Sequence, residues 1–322
     1  MKRGVWILLS ALLVGLLVAS LAIGELRLSL SDIWAGLRGT DALAHTVLWN
    51  LRLPRALVAM AVGAALAASG TVMQALFRNP LASPDLLGVS SGGALGAVIA
   101  LSVGWGAENL FAVPLCALLG AFLAVALVLM LAKRGAGLER LLLCGVALTA
   151  LLGAGTSFVL SLNADQFRRA SAMVFWLLGG LEDRTWEHVA MAVPGVVMGC
   201  LLLLPLARPM DLLALGEGGA QSLGVDVKRL RWKLITLSTV LAALATSVAG
   251  LIGFVGLVVP HLLRLLVGPG HRRLLPLSML GGASFLLACD LATRLAPGQL
   301  RVGVVSALVG GPFFLWLLRR KP

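Results

Sequence analysis

Residues 54–77 read PRALVAMAVGAALAASGTVMQALF, and this stretch decides the fold class. No charged residue follows Arg55 before Phe77, and alanine and glycine separate the larger apolar side chains. A helix that crosses a membrane needs about 20 consecutive apolar residues, and small residues let such helices approach closely. The stretch is therefore predicted to span a membrane, with Gly63 and Ala67 as a small pair on one helix face.

The composition extends this prediction to the whole chain. Of its 322 residues, 59% are hydrophobic and 12% are charged, whereas a soluble domain has about 25% charged residues. A soluble fold of this size would lack the polar residues needed to cover its exterior. The sequence thus predicts an all-α integral membrane protein with a single domain, residues 1–322.

Apolar segments recur with short polar breaks, and about ten of them are predicted to be transmembrane helices. The third and the eighth are short and are expected to be broken or half-buried helices, which are stable only where protein or a cavity surrounds them. The predicted spans are Val5–Ile23, Pro54–Phe77, Gly92–Val103, Val113–Ala132, Leu141–Leu162, Val189–Leu206, Trp232–Ala249, Phe254–Val267, Leu274–Leu295 and Val302–Leu318.

Basic residues predict the orientation. The net charge is +12, and with ten spans 17 of the 26 Lys and Arg residues fall on the side of both termini. Cytoplasmic loops are enriched in Lys and Arg, so both termini are predicted to be cytoplasmic, in a bacterial inner membrane. No nucleic-acid partner is expected, because no basic stripe is interleaved with aromatic residues. The residues on this side are Lys2, Arg3, Arg78, Lys133, Arg134, Arg140, Arg208, Lys228, Arg229, Arg231, Lys233, Arg264, Arg272, Arg273, Arg319, Arg320 and Lys321.

Two connections are long enough to have structure of their own. Residues 25–53 lie on the outer side and contain apolar residues such as Ile33 and Trp34, which predict a short interfacial helix. Residues 208–231 are polar, rich in glycine and basic at their end. They form the largest predicted cytoplasmic connection.

Motifs for catalysis and metal binding are missing. The sequence has no G-x-x-x-x-G-K-[ST] phosphate loop and no H-E-x-x-H zinc motif. We therefore expect no metal, no cofactor and no catalytic residue, and we expect that the chain is not an enzyme. The isolated histidines and the widely spaced cysteines are His45, His188, His261, His271, Cys116, Cys144, Cys200 and Cys289.

Residues 88–92 read GVSSG and fit the G-x-S-x-G motif of a serine nucleophile. That motif requires a strand before it and a helix after it, whereas here a proline-rich loop precedes it and no histidine is placed as a base. Small residues for helix packing, with Gly92 and Gly96 as a pair, are the favoured interpretation. An intramembrane serine hydrolase that uses Ser90 is the alternative.

Ionisable residues inside a membrane are costly and often functional. Asp290 lies in the ninth span with Arg294 four residues later, on the same helix face. The two residues form either a structural ion pair or a site at which Arg294 is presented at the outer surface. Gln74, in the second span, either lines a polar path or bonds to a neighbouring helix. Frequent Gly and Pro breaks in the spans favour a transporter.

Five stretches together resemble one family. They are RLPRALVAMAVGAALAASGTVMQALFRNPLASPDLLGVSSGGALG (52–96), VFWLLGGL (174–181), DLLALGEGGAQSLGV (211–225), GLIGFVGLVVPHLLRLLVGPGHRRLLP (250–276) and VGVVSALVGGPFFLWLL (302–318). The chain resembles the FecCD-type permeases, the membrane subunits of ABC importers for ferric siderophores, haem and cobalamin. The match covers most of the chain, and the stretches are highly specific in combination.

The resemblance implies the type II ABC importer permease fold, with ten helices in each subunit and the pathway between two subunits. It implies three kinds of partner besides the lipid bilayer. These are a second permease subunit that is identical or homologous, two cytoplasmic ATP-binding subunits and a periplasmic substrate-binding protein.

The resemblance also assigns roles to residues. Arg52, Arg55 and Arg294 are expected to dock the binding protein. The residues expected at the coupling contact with the ATPase are Gly216, Glu217, Ala220, Gln221, Leu223 and Gly224. Residues expected in the pathway or in helix packing are Gln74, Asn79, Pro80, Gly92, Gly96, Thr149, Pro260 and His261. The sequence departs from the family at Gln299-Leu300-Arg301, where Glu-Leu-Pro is usual, and Arg301 either joins the docking set or is neutral.

The substrate expected from the resemblance is an iron chelate. Residues 79–85, NPLASPD, look more like the siderophore or ferric-citrate members than the haem members. Haem and cobalamin are the alternatives within the family. An ion-coupled secondary transporter is the alternative outside it, and that class needs an acidic group near the bilayer midplane.

Overall fold

The computed structural model describes residues 2–132, 138–296 and 300–319. Several residues named above lie outside the described part: Lys133, Arg134, Gln299, Arg320, Lys321 and the side chains of Lys2 and Arg3. Within the described residues the secondary structure is helical and no strand occurs. The all-α class expected from the sequence is confirmed.

The described residues form sixteen α-helices. They are α1 Lys2–Ala22, α2 Leu30–Arg38, α3 Ala42–Thr46, α4 Leu53–Leu76, α5 Val89–Ser102, α6 Trp105–Glu108, α7 Ala112–Leu131, α8 Leu138–Leu162, α9 Phe167–Leu177, α10 Trp186–Leu203, α11 Ala207–Leu213, α12 Glu217–Ser222, α13 Val227–Ala249, α14 Val255–Val267, α15 His271–Leu295 and α16 Val302–Arg319. A π-helical turn, Val47–Arg52, precedes α4, and 3₁₀ turns occupy Pro84–Leu87 and Leu204–Leu206.

The helices that can cross a membrane agree with the ten predicted spans. Seven of the described helices are long and apolar enough to cross, and three shorter apolar ones lie in α5, α14 and α16. The third and eighth spans are indeed short, with 14 residues in α5 and 13 in α14. Several spans begin earlier than the sequence indicated, since α13 starts at Val227 and α15 at His271. The first turns of α13 and α15 contain basic residues, which interrupt the apolar pattern in the sequence but do not interrupt the helix.

The connection between α1 and α4 differs from the single interfacial helix expected there. It forms two short helices, α2 and α3, and then the π-helical turn that continues directly into α4. Ser29 and Asp32 form a capping box that starts α2, and Asp41 accepts the backbone N–H of Ala44 to start α3. Each of these caps gives its own helix a defined beginning, which accounts for two helices instead of one.

Helix α4 is the centre of the bundle, and its glycines permit direct backbone contact with its neighbours. A Cβ at Gly63 would collide with the carbonyl of Gly282 in α15, and one at Gly70 would collide with the carbonyl of Gly256 in α14. Gly282 in turn faces Gly63 and Ala67, the pair predicted from the sequence. Close approach of this kind is how membrane helices gain packing energy without a hydrophobic driving force.

A second close pair joins α5 to α7. Gly92 lies against the backbone of Gly120, and Gly96 lies against the carbonyl of Cys116. The packing role expected for Gly92 and Gly96 therefore matches their position. Outside these contacts, α1, α7, α8 and α10 carry many exposed large apolar side chains, as expected for helices that face lipid.

Candidate functional site

Polar side chains gather at the two ends of the bundle and at one level inside it. We call the end where α4 begins, and where Arg52, Arg55 and Arg294 lie, the arginine end. We call the opposite end, which carries α11 and α12, the α12 end.

A buried carboxylate organises the arginine end. The side chain of Asp290 in α15 is fully buried. Its Oδ1 accepts hydrogen bonds from Arg55 Nε at 2.8 Å and Nη2 at 2.7 Å, and its Oδ2 accepts from Arg294 Nη2 at 2.5 Å. Helices α4 and α15 are thus joined by one carboxylate that holds two guanidinium groups.

Arg52 and Arg294 also cap the end of α1. Arg294 Nη1 donates to the carbonyl of Ser20 at 2.8 Å and to that of Ile23 at 3.3 Å, while Arg52 donates to the carbonyls of Leu21 and Leu26. The last carbonyls of a helix lack intrahelical partners, and cations are favourable there. Arg294 is therefore part of an ion pair and a helix cap, which is the structural interpretation of the two considered above. Of the three arginines, Arg55 has the most exposed side chain, at 19%.

Arg301, the departure from the family pattern, is engaged within the chain. Its Nη1 lies 2.5 Å from Glu182 Oε2, and its guanidinium carbon is 4.5 Å from the centre of the Phe175 ring. A cation over an aromatic face is favourable. Neither Glu182 nor Phe175 was singled out in the sequence, because they are more than 100 residues away from Arg301 along the chain.

The connection between α4 and α5 enters the bundle instead of staying outside it. The carbonyl of Leu86 lies against Gly145 of α8, and Gly88 lies beside the hydroxyl of Thr149. These contacts are about 10 and 16 Å from the start of α8 at a rise of 1.5 Å per residue. The segment expected to be a cytoplasmic loop is therefore re-entrant, and Asn79 and Pro80 form the turn that leads into it.

Ser90 does not have the surroundings of a nucleophile. A 3₁₀ turn precedes it instead of a strand, and its hydroxyl donates to the carboxylate of Asp85. Asp85 and Pro84 line a cavity of about 230 Å³ together with Ile252, Gly253 and Phe254. The hydroxyl of Ser90 thus interacts with a carboxylate and not with a histidine base, which argues against the hydrolase.

Gln74 bonds to a neighbouring helix at a defect that a proline creates. Pro260 lies inside α14 and has no N–H, so the carbonyl of Gly256 four residues earlier loses its helical partner. Gln74 Nε2 lies 3.4 Å from that carbonyl and 3.3 Å from the carbonyl of Leu257. Its Oε1 accepts from Arg264 Nη2 at 2.7 Å. Gln74, Pro260 and Arg264 thus form one unit that satisfies polar groups inside the bundle.

Two other residues expected in the pathway or in packing have unpaired polar atoms. Within the described residues, the buried Thr149 Oγ1 and His261 Nδ1 have no hydrogen-bond partner. The His261 ring lies edge-on to Phe313, with 6.3 Å between ring centres. Thr149 faces the re-entrant segment at Gly88.

At the α12 end, the residues expected to contact an ATPase form a compact turn of helix. Gly216 and Gly224 flank α12 with φ angles of 105° and 82°, which favour glycine. Glu217 forms an ion pair with Arg231 of α13. Ala220 is fully buried, whereas Gln221 and Leu223 are exposed. Only some of the six residues therefore face outward.

Another contact at this end was not apparent from the sequence. Asp211 Oδ1 lies 2.7 Å from both the backbone N and Nδ1 of His271. The contact ties α11 to the first residue of α15, and 60 residues separate the two along the chain. A lone histidine between glycine and arginine gave no signal of this partner.

Comparison with known proteins decides the family. The model of the FecCD transport family matches residues 12–320. The chain belongs to the FecCD family. It is 44% identical over 285 residues to the cobalamin import system permease of Halobacterium salinarum, covering 88% of this chain and 76% of that one. It is 42% identical to the hemin transport system permease of Yersinia pestis, and the match covers 96% of this chain and 93% of that one.

A solved structure extends the similarity to the whole fold. An inward-facing conformation of a metal-chelate type ABC transporter has a TM-score of 0.90 and 36% identity, and the match covers 100% of both chains. This FecCD protein is therefore the permease of an ABC importer, a transport component and not an enzyme.

We expect Asp290→Asn to destabilise the protein strongly, because it leaves Arg55 and Arg294 buried without a counter-charge. Breaking a buried ion pair from one side costs about 3–5 kcal/mol. The matched control is Asp226→Asn, which removes the exposed ion pair with Arg229 and should cost less than about 1 kcal/mol. Thermal unfolding midpoints of the purified protein in detergent measure both. Equal midpoints for the two variants would contradict the role given to Asp290.

Proposed function

We propose that this chain is the permease subunit that moves an iron chelate from a periplasmic binding protein to the cytoplasm, with the energy supplied by a separate ATPase. The match of the FecCD model to residues 12–320 is the observation that carries the proposal. The polar interior is in keeping with it, since the re-entrant segment and the Gln74–Pro260 defect place broken helices next to a cavity.

The substrate is the finer part of the proposal. The relatives described above are named for haem and cobalamin, so they do not support ferric citrate or a siderophore over these. Among iron chelates we favour haem, because the hemin permease matches 96% of this chain. Cobalamin is the second candidate, on the strength of the 44% identical relative.

The orientation and partners follow from the same proposal. The arginine end faces the periplasm and the α12 end faces the cytoplasm, in a bacterial inner membrane, with both termini cytoplasmic. A second permease subunit, identical or homologous, completes the pathway. Two ATP-binding subunits meet the α12 end, and a binding protein meets the arginine end.

An ion-coupled secondary transporter has weaker support. That class needs an acidic group free to exchange an ion within the membrane, and the Asp290 carboxylate is held by two arginines. Uptake provides the test. A strain that expresses this chain with its neighbouring ATPase and binding protein is given labelled haem, ferric citrate, a ferric siderophore and cobalamin.

We expect uptake of haem, and we expect it to stop when the catalytic glutamate of the ATPase partner is replaced. Uptake that persists without ATP hydrolysis would overturn the proposal. Uptake of cobalamin alone would move the assignment to the second candidate. The matched control is a strain that carries the unchanged ATPase with the same permease and binding protein.

Docking at the arginine end would involve exchange of ion pairs. Carboxylates of a binding protein would compete with Asp290 for Arg55, the most accessible of the three arginines, while Arg52 and Arg294 continue to cap α1. Charged groups at an interface act mainly on orientation and association rate. We therefore place Arg55 at the centre of the docking surface.

Arg55→Gln should slow association of the binding protein severalfold and weaken its dependence on salt, because a charge is lost while a hydrogen-bond donor to Asp290 remains. Surface plasmon resonance on the permease in nanodiscs gives both values. Arg169→Gln, at an exposed arginine of α9 on the same end, is the control. A rate that equals the control's would remove Arg55 from the docking surface.

The exposed part of the α12 turn is the proposed ATPase contact. Because Ala220 is buried, an arginine at that position would damage the fold and would not test coupling. Leu223 is 58% exposed, and its apolar side chain suits a groove on a partner.

We expect Leu223→Asp to reduce copurification of the ATPase and to lower transport per ATP hydrolysed. The control Leu43→Asp adds the same charge at an exposed leucine of α3 on the arginine end. Normal assembly and coupling in Leu223→Asp would exclude this contact.

A further inference from the structure

A second cavity lies at the arginine end, apart from the residues assigned to docking. Its volume is about 170 Å³, and it lies among α5, α7, α9, α10 and α13. Trp176, Ser247 and Val248 form part of its wall, and Arg184 and His188 supply its ionisable groups. None of the residues that line it carries a carboxylate.

Arg184 has unused hydrogen-bonding capacity. Within the described residues its Nε is buried and has no partner. Its Nη2 lies 3.4 Å from the carbonyl of Gly180, and its Nη1 lies 3.4 Å from His188 Nε2. Both distances exceed the usual 2.7–3.2 Å range of an N–H donor. A partly buried guanidinium with such weak partners is costly unless an acceptor binds it.

The tautomer of His188 adds a second donor. Its Nδ1 lies 3.3 Å from the backbone N of Thr185 and 3.0 Å from the hydroxyl of Thr185. A backbone N–H can only donate and the hydroxyl can donate as well, so Nδ1 is the acceptor and a neutral imidazole carries its proton on Nε2. That N–H then faces Arg184 Nη1, which is also a donor, and the two cannot bond to each other. An oxygen acceptor between them would satisfy both groups.

The surrounding charges leave this site positive. Burial lowers the pKa of Arg184 to about 10, so the guanidinium is still charged at neutral pH. Glu182 and Asp183 lie near enough to offset part of the charge, but Glu182 is held by Arg301 and neither residue lines the cavity. The start of α10, with Thr185 as its N-cap, adds the positive end of a helix dipole.

From this geometry we infer that Arg184 and His188 form a binding site for a carboxylate group. Two donors and a helix N-terminus converge on a space without an acidic side chain, and a carboxylate offers two oxygens that accept from both donors at once. The volume suits one carboxylate arm and not a whole chelate. The site would hold the arm while the rest of the molecule stays at the mouth of the cavity.

The identity of the ligand as an imported chelate rests on the proposed function, whereas the carboxylate site does not. Haem has two propionate groups and citrate has three carboxylates, while cobalamin has amides in place of free acids. The site would therefore favour haem or ferric citrate over cobalamin. It makes Arg184 a specificity-determining residue.

Binding is measured on the full chain in nanodiscs of phosphatidylcholine, without ATPase or binding protein. Equilibrium dialysis with labelled citrate gives a dissociation constant for the wild-type protein and for Arg184→Gln, Arg184→Lys and Arg169→Gln. We expect Arg184→Gln to weaken binding about 10-fold or more, since hydrogen bonds to charged groups contribute about 1.5–3 kcal/mol. Arg184→Lys should recover part of the affinity, and Arg169→Gln should match the wild type.

Two results would overturn the inference. One is equal affinity in Arg184→Gln and the wild type, with both proteins showing the same unfolding midpoint. The other is that citrate does not bind but phosphatidylglycerol is retained through Arg184 in native mass spectrometry, which would make the ligand a lipid phosphate. Neither result bears on whether the protein transports a chelate with its ATPase.

Transport then tests the specificity. In cells with the complete importer, Arg184→Gln should raise KM for haem or ferric citrate severalfold with little change in maximal rate, because binding is weakened before translocation. A purely structural role would lower the amount of folded protein and the maximal rate for every substrate. An unchanged KM for these carboxylate chelates would overturn the role in specificity.

Discussion

Contact between helix backbones is the constraint on which this bundle depends. Helix α4 lies at the centre because Gly63 and Gly70 let α15 and α14 approach it without intervening side chains. In a bilayer, apolar side chains gain little by leaving lipid for protein, so association depends on close packing and hydrogen bonds. The glycine contacts also fix which side chains meet. With α15 against α4 at this distance, Asp290 comes within reach of Arg55.

Most of the charged side chains described here have a partner of opposite charge. Asp290 neutralises two arginines, and those arginines extend to the carbonyls at the end of α1. At the other end Glu217 meets Arg231, and Asp211 meets His271. Gln74 follows the same pattern, because its Nε2 lies 3.4 Å from the carbonyl that Pro260 leaves without a helical partner and its Oε1 accepts from Arg264. Arg184 differs from Arg231, Arg294 and Arg301 in its partners. All four have a buried Nε without a hydrogen-bond partner within the described residues, but the other three each pair with a carboxylate, whereas Arg184 has only the Gly180 carbonyl and His188 at 3.4 Å.

The sequence was sufficient for the all-α class and for the apolar helices that can cross a membrane, because apolar length is a local property. The small pairs at Gly63 and Gly92 could also be predicted, since small residues at a spacing of four imply a close neighbour. The sequence could not show which helix packs against each pair. The partners Gly282 and Gly120 are known only from the fold. The packing of the connection between α4 and α5 into the bundle could not be predicted, because its polar residues resemble those of a loop until the contact with Gly145 is seen. Arg184 and His188 could not be predicted as a site from the sequence, because the site depends on the tautomer of His188 and on the cavity that both residues line.

Helix α13 runs from the α12 end of the molecule to the arginine end. Its first turns carry Arg231, which holds α12 through Glu217. Its last turns carry Ser247 and Val248, which line the same cavity as Arg184 and His188. The helix has 23 residues and is about 35 Å long. An ATPase bound at α12 would therefore act on the same helix whose other end forms part of the cavity wall.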